Sequence, residues 1–161
     1  RVEFYNPTLC EDVRTIAKKH NVSPDLLKIE ITESAYADNP IQVMEAVKKL
    51  HSYGFSVLMD DFGSGYSSLN MLKEMPLDIL KMDLRFLSGD ETKEQQEKSR
   101  HILRTLISLA HSMHLYVIME GVETESQIDF LKEAGCACAQ GFVYSRPIAA
   151  SAFEEMLSAQ K

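Results

Sequence analysis

The chain has 161 residues, 45% of them apolar, and a formal charge of −7, enough for one domain with a real core and too few for two ordinary ones. No apolar run approaches a membrane span, and the opening RVEFYNPTL lacks the apolar core of a signal peptide, so a cytoplasmic domain, or the cytosolic part of a larger protein, is expected, with no membrane contact by this segment. The acidic balance without a basic stripe excludes a general binder of DNA or RNA duplexes, but not a small anionic substrate, because divalent cations can invert a local field.

In chain order, residues 1–6 read as a strand exit or loop. Leu9, Val13, Ile16 and Ala17 recur at helical spacing until His20 and Asn21. Ser23-Pro24 opens a short turn. Residues 27–32 (LKIEIT) alternate like a strand, with Glu30 and Glu33 near its end. Asn39-Pro40 is a cap followed by proline at the first helical position, and Val43, Val47 and Leu50 give that helix an apolar face until Gly54. Val57-Leu58-Met59 is the apolar run of a buried strand that should end at Asp60-Asp61. Gly63 and Gly65 supply freedom for a tight loop, and the hydroxyls of Ser64, Ser67 and Ser68 can bond backbone or phosphate. A short helix spans 67–75, closed by Pro76. Residues 78–82 (DILKM) form a strand carrying Lys81 and ending at Asp83. The charged stretch 91–100 reads as a solvated loop or helix start. Ile102, Leu103, Leu106, Leu109, Ala110 and Met113 then make an amphipathic helix. Residues 115–119 form a strand before Glu120-Gly121-Val122-Glu123. Thr124 with Gln127 is a capping box for a helix ending at Gly135. Residues 136–139 make the last short strand, before Gln140-Gly141. Ser151 with Glu154 is a second capping box for the final helix.

Cys10, Cys136 and Cys138 have no zinc spacing and read as buried thiols. His20, His51, His101, His111 and His114 form no metal-binding pattern and read as surface residues. Strands alternating with helices imply parallel strands joined by crossovers, hence an α/β fold. Glu30, Asp60, Lys81, Glu120 and Gln140 each fall at or near the C-terminal end of a strand, and a (β/α)8 barrel gathers such ends at the rim that holds its active site. A doubly wound sheet would place a glycine-rich phosphate turn there instead, and no G-x-G-x-x-G occurs.

Asp60 and Asp61 repel unless a cation or proton compensates them. A strict strand would split them to opposite faces, so they converge only if the backbone turns at the strand end. Their alternative reading is a helix cap in a strand-to-helix turn. Rim carboxylates with one lysine and one amide suit Mg²⁺ or Mn²⁺ rather than zinc, and such sites hydrolyse phosphate esters. A rival from the same residues uses Lys81 as the Schiff-base amine of an aldolase-type barrel. That needs a desolvated neutral amine, which the crowd of carboxylates opposes.

Five segments follow in order: EITES at 30–34, DDFGSGYSSL at 60–69, KMD at 81–83, EGVE at 120–123 and QGFVYSRP at 140–147. Together they resemble the EAL family of bacterial cyclic-di-GMP phosphodiesterases, over essentially the whole chain. The resemblance implies a TIM-like (β/α)8 barrel, here incomplete and comprising about the last five strand–helix units. Residues 1–161 would be an EAL-like phosphodiesterase domain truncated at its N-terminus, because no EAL tripeptide occurs and Arg1 looks like the last residue of the family's Asn-x-Ser-Arg segment.

By the same resemblance, Glu30 and Asp60 match metal ligands and Asp61 a ligand of a second metal. Lys81 matches the lysine that holds the attacking water or a phosphate oxygen. Glu120 matches the general base or a metal-site carboxylate, and Gln140 a residue that holds water and substrate. Glu33 matches the anchor of the loop after the aspartate pair. Asp83 and Glu123 match supporting positions. Their other readings are a helix cap for Asp83, a helix start for Glu123 and an ordinary turn residue for Gln140. The implied reaction is hydrolysis of cyclic-di-GMP to linear pGpG with Mg²⁺ or Mn²⁺, in bacterial second-messenger signalling. An open barrel exposes a sheet edge, so a homodimer, or pairing with the missing N-terminal segment, is expected. The alternative is a non-catalytic EAL-like module that binds nucleotide or a protein partner.

Overall fold

Five parallel strands are hydrogen-bonded in the order β1-β2-β3-β4-β5, which is also their order in the chain. They are β1 (Lys28–Thr32), β2 (Ser56–Phe62), β3 (Ile79–Asp83), β4 (Tyr116–Glu120) and β5 (Cys138–Ala139). The structure, a computed structural model, describes residues 6, 8–63, 69–84 and 92–159. Helices α1 (Leu9–Lys19), α2 (Glu33–Asp38), α3 (Pro40–Ser52), α4 (Leu69–Glu74), α5 (Lys93–Ser112), α6 (Glu125–Glu133) and α7 (Ala150–Ala159) alternate with them. The α/β expectation of parallel strands joined by helical crossovers is met.

Strand alternation divides the sheet into two chemistries. Ile31, Val57, Met59, Leu80, Met82, Val117 and Met119 point to one face and belong to the core. Helices cover that face with Val43, Val47, Leu50, Leu103, Ile107 and Phe130. Each such side chain contributes about 1.5–3 kcal/mol when fully buried. The opposite face carries Glu30, Asp60, Lys81 and Glu120. The core therefore holds the sheet from one side and leaves the other free for chemistry.

The helix starts follow local hydrogen bonding. Asn39 Oδ1 accepts from Gln42 N at the head of α3, and Thr124 with Gln127 forms the expected capping box. A second box, Thr92 with Gln95, starts α5, so 93–100 is helix where the charge pattern left a loop open. Helix α2 was not anticipated; Thr32 caps it by accepting from Ala35 N.

Several other expectations need correction. β2 does not end at the aspartates but runs through them to Phe62. α7 begins at Ala150, so Ser151 lies inside the helix rather than at its cap. Cys10 and Cys136 are buried as expected, but Cys138 is exposed. His51 is not a free surface residue, because its Nε2 lies 2.8 Å from Asp78 Oδ2. Ser64, Gly65, Ser67 and Ser68, and residues 1–5, lie outside the described residues. Among the described residues no helix is long and apolar enough to cross a membrane.

Candidate active site

The aspartate pair is brought together by a β-bulge. Met59 pairs with Leu80 and Phe62 with Met82, so two residues, Asp60 and Asp61, stand opposite the single residue Lys81. An inserted residue of this kind bends the strand and re-aims side chains. Here it brings the Asp61 carboxylate beside those of Asp60 and Glu120 while Met59 and Phe62 keep their places in the core. The bulge forces Asp61 to φ +56°, a left-handed conformation that aspartate tolerates better than most residues. Convergence thus comes from within the strand rather than from a turn after it.

Lys81 sits at the centre of the site and is only 6% exposed. Its Nζ lies 2.9 Å from Glu30 Oε1, 2.9 Å from Asp60 Oδ1 and 2.6 Å from Glu120 Oε1. Burial works to lower the Lys81 pKa, but the hydrogen bonds to Glu120, Glu30 and Asp60 outweigh it, so the pKa is raised above the usual lysine value. The residue is a fixed ammonium. That removes the Schiff-base reading, which needs a neutral amine.

Oxygens of Asp60, Asp61 and Glu120 lie within 4.8 Å of one another. Two oxygens on opposite sides of a Mg²⁺ ion stand about 4.2 Å apart, so closing this group on a hard cation takes only small side-chain movements. With Glu30 included, three carboxylates meet the Lys81 ammonium and a fourth, Asp61, stands close by, a formal balance of −3. Hard oxygen donors with excess negative charge fit a divalent cation. Glu30 reaches the site through Lys81 and has an exposed residue position.

The remaining expected residues take up different places. Asp83 ends β3 directly opposite Glu120. Gln140 follows β5; its amide donates to Met119 O at 2.8 Å and its carbonyl accepts from Val122 N at 3.1 Å. Its side chain borders a cleft of about 660 Å³ with Phe142, Tyr144, Arg146, Phe153 and Met156. Glu33 is buried at the start of α2, but the loop it was expected to anchor, 64–68, lies outside the described residues. Glu123 is exposed and its amide donates to Gln127 Oε1 at 2.8 Å, which fits the helix-start reading.

The model of the EAL domain family matches residues 2–147. The cyclic di-GMP phosphodiesterase NbdA of Pseudomonas aeruginosa is 36% identical over 154 residues, 96% of this chain and 19% of NbdA. The chain thus spans about a fifth of that relative's length. The crystal structure of the EAL domain of Mycobacterium smegmatis DcpA superposes with a TM-score of 0.88 at 34% identity, covering 98% of this chain and 70% of that one. The phosphodiesterase PaMucR, solved as a c-di-GMP complex, gives 0.84 at 32% identity, covering 94% and 60%.

Proposed function

The chain belongs to the EAL domain family, and from that membership we propose that it hydrolyses one phosphodiester of cyclic-di-GMP to linear pGpG, with Mg²⁺ or Mn²⁺. The observation that carries the reading is the bulge that sets Asp60 and Asp61 against Lys81 with Glu120 alongside. Asp60, Asp61 and Glu120, with Glu30 beside them, would hold the cations. When bound, these would polarise the phosphodiester and offset charge on the leaving oxygen. Lys81, held charged, would turn one of its three donors from a carboxylate taken up by the cations to a non-bridging phosphate oxygen or the attacking water. Glu120, whose Oε1 lies 2.6 Å from that ammonium, would serve either as the general base for the water or as a metal-site carboxylate, while Gln140 would orient water and substrate from the neighbouring strand end. Asp83, Glu123 and Glu33 act in support, the last toward the loop after the aspartates.

The reading places the chain in bacterial second-messenger signalling, in the cytoplasm, as an EAL-like unit over 1–161. β1 and β5 are the edges of the described sheet. We take a second copy, or further strands of the family's barrel, as the cover for these edges; light scattering showing a well-folded monomer would count against the copy.

The test of the activity is incubation with cyclic-di-GMP and Mn²⁺ or Mg²⁺, with and without chelator, read by chromatography. Chelator-sensitive appearance of pGpG is expected. Tight nucleotide binding with no product in any metal would instead return a non-catalytic EAL-like module.

A further inference from the structure

Gly141 fills a role that neither the motif nor the metal cluster explains. Its φ is not in the left-handed region, so backbone conformation does not call for glycine there. Space does. A Cβ built on Gly141 would overlap the carbonyl oxygen and the amide nitrogen of Val122 and lie 2.6 Å from its carbonyl carbon. Unlike contact with a flexible side chain, this contact with backbone cannot be relieved by a rotamer change.

The two chain segments in contact are those that carry Glu120 and Gln140. They are braced by three backbone hydrogen bonds: Gln140 N to Met119 O at 2.8 Å, Val122 N to Gln140 O at 3.1 Å and Val143 N to Val122 O at 3.1 Å. These extend the β4–β5 pairing past the ends of both strands. On its other side the turn after Glu120 abuts β3, where a Cβ on Gly121 would stand 3.3 Å from Asp83 Oδ1. The turn is therefore held between Asp83 and Gly141. Val122 at its centre is fully buried.

We propose that Gly141 is a positioning residue for the metal site: its bare Cα sets how closely the β5 segment approaches Val122, and so where Glu120 and Gln140 stand. This rests on the metal-dependent reading above. A side chain at 141 would wedge the two segments apart and carry Glu120 away from Asp60, Asp61 and Lys81. Ligands tolerate little displacement, and changes to the groups that support them typically weaken metal binding about 10–100-fold.

The experiment compares Gly141→Ala with Gly135→Ala in the full chain. Gly135 follows α6 at φ +82°, and a Cβ there would find its nearest neighbour 4.0 Å away, at His111 Cε1. Alanine at 135 strains the backbone but crowds nothing near the site. Both variants should melt below the unsubstituted chain. Mn²⁺ titration by calorimetry should show affinity weakened at least about tenfold for Gly141→Ala and within twofold for Gly135→Ala. A folded Gly141→Ala protein that binds Mn²⁺ as tightly as the unsubstituted chain overturns the assignment.

If Gly141→Ala does not fold, amide exchange on the unsubstituted chain decides. Mg²⁺ should slow exchange at Val122 and Val143 and leave the Gly135 amide unchanged; no slowing at the braced amides overturns the proposal. No Mn²⁺ or Mg²⁺ uptake by the unsubstituted chain would sink the metal-dependent reading with it, and that baseline separates the two failures.

Discussion

At the N-terminal rim of the sheet, Asp78 accepts from Val57 N at 2.7 Å and meets His51 Nε2 at 2.8 Å through one carboxylate oxygen. Its own backbone donates to Val57 O and accepts from Tyr116 N, each at 3.0 Å. One residue thereby ties β2, β3, β4 and the last turn of α3 together. At the C-terminal rim, Lys81 meets three carboxylates and a fourth stands close by. At the first rim the one Asp78 carboxylate oxygen is matched by two nitrogens, Val57 N and His51 Nε2. The second has more negative charge than its lysine can offset, whereas left-handed backbone occurs at both, at Asp61 and at His114 just before β4. Proteins carry charge imbalance of this kind where a site needs it, and place stabilising contacts elsewhere.

The largest effect expected from that contrast is on turnover at the crowded rim. Lys81→Met removes the ammonium aimed at the substrate phosphate and should lower turnover of cyclic-di-GMP about 10²–10³-fold. It also leaves the carboxylates uncompensated, so in chelator the variant should lose about 3 kcal/mol in denaturant melts, part of it restored by Mn²⁺. A Lys81→Met protein of unchanged stability in chelator would mean the carboxylates do not strain this rim. Because the pKa of Lys81 is raised on folding, its stabilising contribution is fully present below the ordinary lysine value of about 10.4 and is lost only as pH rises through the higher folded value. No loss of stability from Lys81 is expected between pH 6 and 9.

Removing a carboxylate from each rim should give opposite signs. Asp78→Ala strands the Val57 amide, on a fully buried residue, and should cost about 1–3 kcal/mol of stability. Turnover per folded molecule should stay within twofold, since nothing at that rim touches the site. Asp61→Asn keeps a residue tolerant of the left-handed conformation and relieves the charge excess. It should raise stability in chelator by about 0.5–1 kcal/mol while weakening Mn²⁺ binding about tenfold. Destabilisation by Asp61→Asn in chelator would break the contrast, because the crowded rim would then be balanced too.

The sequence disclosed the strand-end residues of the crowded rim but not the device that joins them. Alternating strands and helices, with capping boxes such as Thr124–Gln127, are local patterns and needed no tertiary knowledge. The bulge was also written locally, in a form easy to pass over. Met59 and Phe62 are both buried yet three apart, and a regular strand puts such residues on opposite faces. Only an extra residue between them reconciles the spacing, and the extra residue falls in the aspartate pair. The Thr92 capping box was legible too, but a run of charges masked it. By contrast, the pairing of His51 with Asp78 joins residues 27 apart in the chain. The contact of Gly141 with Val122 joins two loops through backbone atoms that every residue shares, so no residue type announces it.

An acid–lysine pair away from both rims separates pairing from crowding. Lys49 of α3 is paired with Glu11 of α1, with side chains 40% and 45% exposed. The hydrogen bond to Lys49 lowers the Glu11 pKa and the same bond raises that of Lys49. Glu11 therefore stabilises above its unfolded pKa of about 4.3 and loses that contribution as pH falls through the lower folded value; Lys49 does so below about 10.4 and loses it as pH rises. Both contributions are in force at pH 7, yet solvent screens the pair and side-chain entropy offsets it. Glu11→Gln should shift the melting temperature by no more than about 4 °C, the shift should vanish in high salt, and turnover should be unchanged. A drop beyond about 4 °C, unmoved by salt, would show that a single exposed pair does what the Lys81 cluster does. Neither burial nor partner count would then set the Lys81 cluster apart from an ordinary ion pair.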